Sequence, residues 1–281
     1  MATSSPSSSS GSPHTGYRGS DLARQITVTA CFVACIIGSM IGVGVFGGTP
    51  VAEAAGGALS ADATYLAPAG PAFSIWSVIY TGLGLYTLYQ WFPSQRASAR
   101  QRSLGWLVAA SLLLNAAWIL SVQAGSVILS VVVIVLLLAV LAECFRRYAL
   151  VFPASGRWPE AIAVDGTLGL YLGWVCVATA ANTASALTSE GFRGFGLAPE
   201  LWAVAVLAVA AAIGVALAAA GNGRLAPAAS LAWGLAWIAV SRINGGLESM
   251  PTAAAAVAAA VVVALATLVL RFRRMRGVAA A

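Results

Sequence analysis

Charged residues are scarce in this sequence: Asp, Glu, Lys and Arg make up 9% of its 281 residues, and lysine is absent. Soluble globular proteins carry about 25% charged residues. Because 60% of the residues are hydrophobic, the chain lacks the polar side chains that a water-soluble fold of this size needs on its surface. The composition therefore excludes a soluble globular protein and predicts an integral membrane protein.

Residues that build catalytic and metal centres are also few. The one histidine, His14, lies in an N-terminal segment rich in Ser, Gly and Pro. The four cysteines, Cys31, Cys35, Cys144 and Cys176, have neither the spacing of a zinc site nor that of a disulfide framework. The sequence contains no phosphate-binding loop and no nucleophile elbow. We therefore expect that the protein is not an enzyme and that it requires no cofactor.

Long uncharged runs are the main positive feature, and one of them, 103–142, extends over forty residues. A helix of about 20 apolar residues crosses a membrane, so this run is long enough for two helices joined near 123–126. The runs are continuous and do not alternate, which favours helices over a membrane barrel. We predict an all-α integral membrane protein with eight transmembrane helices, over 26–46, 72–92, 104–122, 127–144, 162–184, 201–220, 225–243 and 252–270.

The arginines indicate how these helices cross the membrane. If the N-terminus is cytoplasmic, every basic residue except Arg193 and Arg242 lies in a cytoplasmic segment, as the positive-inside rule requires. Both termini are then cytoplasmic, with a disordered tail over 1–24 and a basic tail over 271–281. Arginine in place of lysine, with many alanines and glycines, is typical of a GC-rich genome. We therefore expect a multi-pass protein of a bacterial plasma membrane.

Polar and aromatic side chains interrupt the apolar runs in the second and third spans. Pro71 suits the first turn of the second helix, and Trp76 and Tyr80 then share one helix face. Asn115 lies near the middle of the third span, where an unpaired amide is costly, and Trp118 follows on the same side. Each pair could contact a ligand, anchor the helix at the membrane interface, or hold neighbouring helices together.

The fifth span carries a third group of this kind. Trp174, Ala178 and Asn182 recur every four residues, and Tyr171 precedes Trp174 by three. One helix face therefore presents a ring, a small residue and an amide in turn. Such a face could line a cavity for a flat apolar ligand, or it could be a helix seam.

These three segments together resemble the TspO/MBR family of translocator proteins, also called tryptophan-rich sensory proteins. The resemblance covers 26–184 and implies a five-helix core over 25–185, to which three further transmembrane helices over 186–270 are added without a family motif. The matching patterns are Pro71-x-Phe73-x-x-Trp76-x-x-x-Tyr80, Leu114-Asn115-x-x-Trp118 and Tyr171-x-x-Trp174-x-x-x-Ala178-x-x-x-Asn182.

The resemblance implies a cavity that opens toward the segment between the first two helices, called the first loop below. The cavity would bind a lipophilic or tetrapyrrole-type small molecule such as a porphyrin. Secondary transport of a small apolar solute is the alternative, although buried carboxylates that would couple it to an ion are nearly absent. By the resemblance, the residues that line or support the cavity are Trp76, Tyr80, Asn115, Trp118, Tyr171, Trp174 and Asn182.

The remaining predictions concern partners and charges. Small residues one helical turn apart, Gly38 with Gly42 and 169 with 173, allow close helix approach, either within the bundle or in a homodimer. The expected partners are the lipid bilayer and the small-molecule ligand, with no nucleic acid. Asp165 is expected to cap the fifth helix, and Glu143 to pair with a nearby arginine.

Overall fold

The computed structural model describes residues 16–45, 49–51, 53–151 and 158–279, with side chains described as far as 276. All regular secondary structure in these ranges is helical, as predicted. The long helices, numbered here in chain order, are α1 (Gly19–Gly42), α2 (Ile75–Tyr89), α3 (Ala99–Gln123), α4 (Val127–Arg146), α5 (Thr167–Ser189), α6 (Pro199–Ala220), α7 (Leu225–Asn244) and α8 (Met250–Ala279).

Seven helical segments of the described chain are long and apolar enough to cross a membrane, which makes this a multi-pass membrane protein. The eighth long helix, α2, is too short to count among them: it has 15 residues and is shorter than the predicted span 72–92. A 3-10 turn, Gly70–Ser74, precedes α2 and contains Pro71, so the α-helix proper begins after the proline rather than at it. At the other end, Phe92 is extended because it precedes Pro93, which begins a separate turn.

The long uncharged run divides into α3 and α4 where the sequence predicts. Gly125 adopts a left-handed backbone conformation, with φ of +72°, in the short connection between the two helices. A residue with a Cβ would be strained there, so the glycine permits the tight turn. The two helices therefore run antiparallel and pack against each other.

Close packing between helices occurs at both small-residue pairs. A methyl group on Gly38 or Gly42 would contact Ala116 or Ile119 of α3, and one on Gly173 would overlap the backbone of α7. Both pairs are thus occupied within the chain. One cluster of buried apolar side chains lies among α1 to α5, and a second lies among α6 to α8 and reaches α5 and the first loop.

Buried charges lie at the end of the bundle where α1, α3, α5 and α7 begin. Asp165 does not cap a helix, because helical structure continues through it from Trp158 as a π-helical segment, Ala161–Gly166. Its carboxylate instead pairs with Arg100 and Arg224, which corrects the prediction. Glu143 accepts hydrogen bonds from the two nearby arginines, 146 and 147, which confirms the pairing expected for it.

Candidate functional site

A cavity lies at the opposite end of the bundle, among α2, α3, α4, α5 and the first loop. The volume of the cavity, taken as the space that the centre of a water molecule can reach, is about 40 Å³. Among the described residues, no side chain that lines the cavity is an acid or a base. The lining residues are Val51, Ala58, Leu59, Thr64, Ala67, Pro68, Phe73, Trp76, Asn115, Trp118, Ile134, Leu137, Trp174, Val175, Ala178, Ala181, Asn182 and Ser185.

The structure brings the predicted site residues of three helices together at this cavity. Two of the predicted residues, Tyr80 and Tyr171, lie behind the wall and contact Trp76 rather than the open space. Residues of the first loop line the cavity on the side toward which the resemblance implied that it opens. The predicted residues that line the cavity are Trp76, Asn115, Trp118, Trp174 and Asn182.

Aromatic rings form the wall between α2 and α5. Trp76 stacks on Tyr80 with ring centroids 5.2 Å apart, so the spacing of four residues on α2 does align the two rings. Tyr171 and Trp174 pack against Trp76 in T-shaped arrangements, with ring centroids 5.9 and 6.2 Å from that of Trp76. Phe73 and Trp174 form a third T-shaped pair, with centroids 5.7 Å apart. Each such ring pair contributes about 0.5–1.5 kcal/mol beyond burial of its area. The two tyrosines therefore hold Trp76 in place.

Asn115 is 1% exposed, and in the described part of the chain only one of the two polar atoms of its side-chain amide has hydrogen-bond partners. The Oδ1 atom accepts hydrogen bonds from the Tyr80 hydroxyl at 3.0 Å and from the Cys35 thiol at 3.4 Å. The Nδ2 atom has no partner in the described part of the chain. The sequence predicted that Asn115 needs a partner, but it gave no sign that Cys35 on α1 would be one.

Asn182 joins three helices at the cavity. Its Oδ1 accepts the indole N–H of Trp118 at 3.3 Å, and its Nδ2 donates to Ser130 Oγ of α4 at 2.9 Å. Ser130 Oγ in turn donates to the Val127 carbonyl at 2.6 Å. This is the interhelical clamp that the sequence left open as one reading of Trp118. Ser130 was missed; an isolated serine in an apolar span was the only signal.

Trp174 differs from Trp118 in that its indole N–H is unpaired. The side chain is 1% exposed, and Nε1 has no partner among the described residues. Trp174 and Asn115 both line the cavity, and each carries a buried nitrogen donor that has no hydrogen-bond partner among the described residues. The arrangement suits a ligand with a broad apolar surface and at least one hydrogen-bond acceptor.

The comparison with protein families identifies this architecture. The family model described as TSPO-like protein matches residues 25–269. No curated protein and no solved structure matches the chain significantly. The family match continues past residue 184, where the motif resemblance ended, and includes α6, α7 and most of α8. The chain belongs to the TSPO-like protein family.

Proposed function

We propose that this protein binds a flat, lipophilic small molecule in the cavity beneath the first loop. The observation that carries the proposal is the pair of unpaired nitrogen donors, Asn115 Nδ2 and Trp174 Nε1, on residues of a largely apolar, aromatic-lined cavity. A buried donor without a partner costs about 1–3 kcal/mol. A ligand that offers an acceptor to these groups recovers this cost, while the rings bury its faces.

A tetrapyrrole-type molecule is a ligand of this class, and the cavity sets conditions for its binding. Since no basic side chain lines the cavity, the carboxylates of protoporphyrin IX would have to remain outside it, near the first loop. Since little of the cavity is wide enough for water, ring-sized ligands also require the loop or the aromatic wall to move outward. Uncharged rings are therefore favoured over charged ones.

The test compares protoporphyrin IX with its dimethyl ester, which has the same ring without the charges. Each is titrated into the purified protein in detergent, and dissociation constants are obtained from the quenching of tryptophan fluorescence. We expect saturable binding, with the ester bound at least as tightly as the acid. Absence of saturable binding of both compounds would rule out a tetrapyrrole ligand.

Two tryptophan variants connect the binding to this cavity. Trp174→Phe removes a free N–H group, and the dissociation constant of the ester is expected to rise about tenfold. Trp158→Phe removes a tryptophan that is 74% exposed and precedes α5 at the end of the bundle away from the first loop. This control is expected to bind as the wild type does, and equal losses in both variants would place the ligand elsewhere.

We further propose that the protein binds its ligand without transforming or pumping it. In the described part of the chain, the buried pairs of Arg24 with Asp21 and of Arg100 with Glu160 lie at the end of the bundle opposite the cavity. No ionisable lining residue is there to couple binding to an ion gradient. Accumulation of a labelled solute in proteoliposomes, driven by a proton or sodium gradient, would instead support the transport alternative.

The proposed orientation places both termini in the cytoplasm of a bacterial cell. The arginines of α3 and of the last turns of α4 lie at the same end of the bundle as the start of α1. This distribution supports the positive-inside assignment. A reporter that is active only in the cytoplasm is expected to be active when it is fused to either terminus. A reporter that is active only outside the membrane is expected to be inactive at both.

A further inference from the structure

The part of the first loop formed by 58–69, called the lid segment here, covers the cavity. Ala58, Leu59, Thr64, Ala67 and Pro68 of this segment all line it. The cavity helices, α2 to α5, provide the other walls. A ligand that enters from this end therefore has to displace the lid segment.

The middle of the lid segment is attached to α7 and to the turn that follows α7. Arg242 Nη2 donates to the Ala61 carbonyl at 2.7 Å, and Ser241 Oγ donates to the same carbonyl at 3.3 Å. The Gly246 amide donates to Asp62 Oδ1 at 2.9 Å. These bonds connect the lid segment to a helix that lines no part of the cavity.

Further contacts with α7 continue along the chain from the lid segment into the turn before α2. The Ala69 amide donates to the Trp237 carbonyl at 3.1 Å, and Trp233 Nε1 donates to the Ala72 carbonyl at 3.0 Å. Leu66 is buried in the apolar cluster of α6 to α8. By contrast, the start of the segment is attached to a cavity helix, through Ser185 of α5 and the Ala58 carbonyl.

Arg242 is the unusual member of this attachment. It is 0% exposed in a membrane helix, and it forms no ion pair among the described residues. Its Nε and Nη1 atoms have no hydrogen-bond partner there, and its guanidinium lies 5.9 Å from the ring of Tyr65 in the lid segment. A buried guanidinium group with unpaired donors is costly. Its Nη2 atom donates hydrogen bonds to the Ala61 carbonyl and to Ser241 Oγ, and both acceptors belong to the attachment of the lid segment.

We propose that α7 controls access to the ligand site. Arg242 is the positioning residue that holds the lid segment closed over the cavity. Release of the Ala61 carbonyl frees the middle of the segment, so the strength of this attachment sets how fast a ligand enters and leaves. The role in ligand exchange rests on the proposed binding function. The attachment itself can be measured without any ligand.

The first test is amide hydrogen exchange of 58–69 in the purified full-length protein. In Arg242→Ala the exchange of this segment is expected to accelerate about tenfold or more, while exchange in α3 and α5 stays as in the wild type. Arg242→Lys, which keeps a cationic donor, is expected to restore part of the protection. The control is Arg193→Ala, which changes an exposed arginine at the same end of the bundle. Unchanged exchange of the lid segment in Arg242→Ala would overturn the proposal.

A second variant acts in the opposite direction and serves if Arg242→Ala does not fold. A Cβ placed on Gly246 lies 3.1 Å from Asp62 Cγ, so the double variant Asp62→Cys, Gly246→Cys brings two sulfur atoms within bonding reach. Oxidation is expected to slow exchange of 58–69 at least about tenfold relative to the reduced form of the same protein. Equal exchange in a bridged and a reduced sample would refute the attachment.

Ligand kinetics then separate this proposal from the binding function. Association and dissociation of protoporphyrin IX dimethyl ester are both expected to be slower in the oxidised double variant and faster in Arg242→Ala. If exchange responds as expected but the wild type binds no ester, the attachment stands and the binding function fails. If the ester binds but its rates are the same in all variants, control of ligand exchange by α7 is wrong.

Discussion

Trp118 of α3 donates its indole N–H to Asn182 Oδ1 of α5, and the bond of 3.3 Å joins two helices at the wall of the cavity. Both side chains are buried, and Asn182 also donates to Ser130 on α4. Three of the four helices that surround the cavity therefore share one amide. A ligand site between helices is stable only if its walls are held independently of the ligand, and this amide holds them.

The first prediction is that Trp118 and Asn182 are energetically coupled. Trp118→Phe and Asn182→Ala are each expected to lower the free energy of unfolding by about 1–3 kcal/mol, because each breaks a buried hydrogen bond. The double variant is expected to lose about 0.5–1.5 kcal/mol less than the sum of the two. Denaturant unfolding of the four proteins in the same detergent measures this difference. Strict additivity would contradict the clamp.

The second prediction separates the cavity wall from the residues behind it. Asn115→Leu removes a free N–H group at the cavity, and the dissociation constant of protoporphyrin IX dimethyl ester is expected to rise about tenfold. Tyr80→Phe removes a hydroxyl that bonds Asn115 from behind, and the expected rise is less than about threefold. Tryptophan quenching measures both constants. Similar losses in the two variants would mean that Asn115 acts by its position in the hydrogen-bond network rather than by contact.

The ring and amide positions of the site could be predicted from the sequence because they follow helical periodicity. Trp76 and Tyr80 share one face of α2, Trp174 and Asn182 share one face of α5, and helix packing brings the two faces together. Cys35 and Ser130 could not be predicted, because a single small polar residue in an apolar span has no pattern that identifies its neighbour.

The attachment of the first loop to α7 could not be predicted from the sequence either. Arg242 and Ala61 are 181 residues apart. The sequence predicted only that Arg242 lies on the outer side of the membrane. Asp165 was misassigned for a related reason. Its role depends on Arg224, which approaches it only after α7 has packed on α5. Pairings between distant segments are decided by tertiary packing, which local spacing does not contain.

The third prediction concerns the packing of α7 on α5. A methyl group on Gly173 would overlap the Pro227 carbonyl and the Ser230 hydroxyl, so Gly173→Ala is expected to lower the free energy of unfolding by about 2 kcal/mol or more. The matched control is Gly19→Ala at the start of α1, where an added methyl group meets no atom within 4 Å. Its expected effect is within about 0.5 kcal/mol. Thermal unfolding of both variants in detergent provides the measurement.

Because α7 also holds the lid segment, Gly173→Ala has a second expected effect. A displaced α7 carries the attachment points of the segment with it, so exchange of the amides in 58–69 is expected to rise in this variant. The exchange is measured below the unfolding temperature, where the helices remain folded. A protein that is destabilised but has an unchanged lid segment would show that α7 can shift without moving its attachment.

The fourth prediction compares a buried and a partly exposed carboxylate at the end of the bundle opposite the cavity. Asp165 pairs with Arg100 and Arg224 in buried surroundings, so Asp165→Asn leaves two guanidinium groups with less compensating charge. The expected loss is about 3–5 kcal/mol of unfolding free energy. Glu143→Gln weakens pairs with Arg146 and Arg147 that are partly exposed to solvent, and the expected loss is below about 1 kcal/mol. Denaturant unfolding in one detergent gives both values.

Salt distinguishes the two sites further. Exposed pairs are screened at high ionic strength, so the small effect of Glu143→Gln is expected to vanish between about 0.1 and 1 M salt, while the effect of Asp165→Asn persists. Ester binding is expected to be unchanged in Glu143→Gln, because Glu143 lies at the end of the bundle away from the cavity. If Asp165→Asn were no less stable than Glu143→Gln, the buried ion pairs of Asp165 with Arg100 and Arg224 would not stabilise the fold. The carboxylate of Asp165 would then be dispensable for holding α7 against the five-helix core.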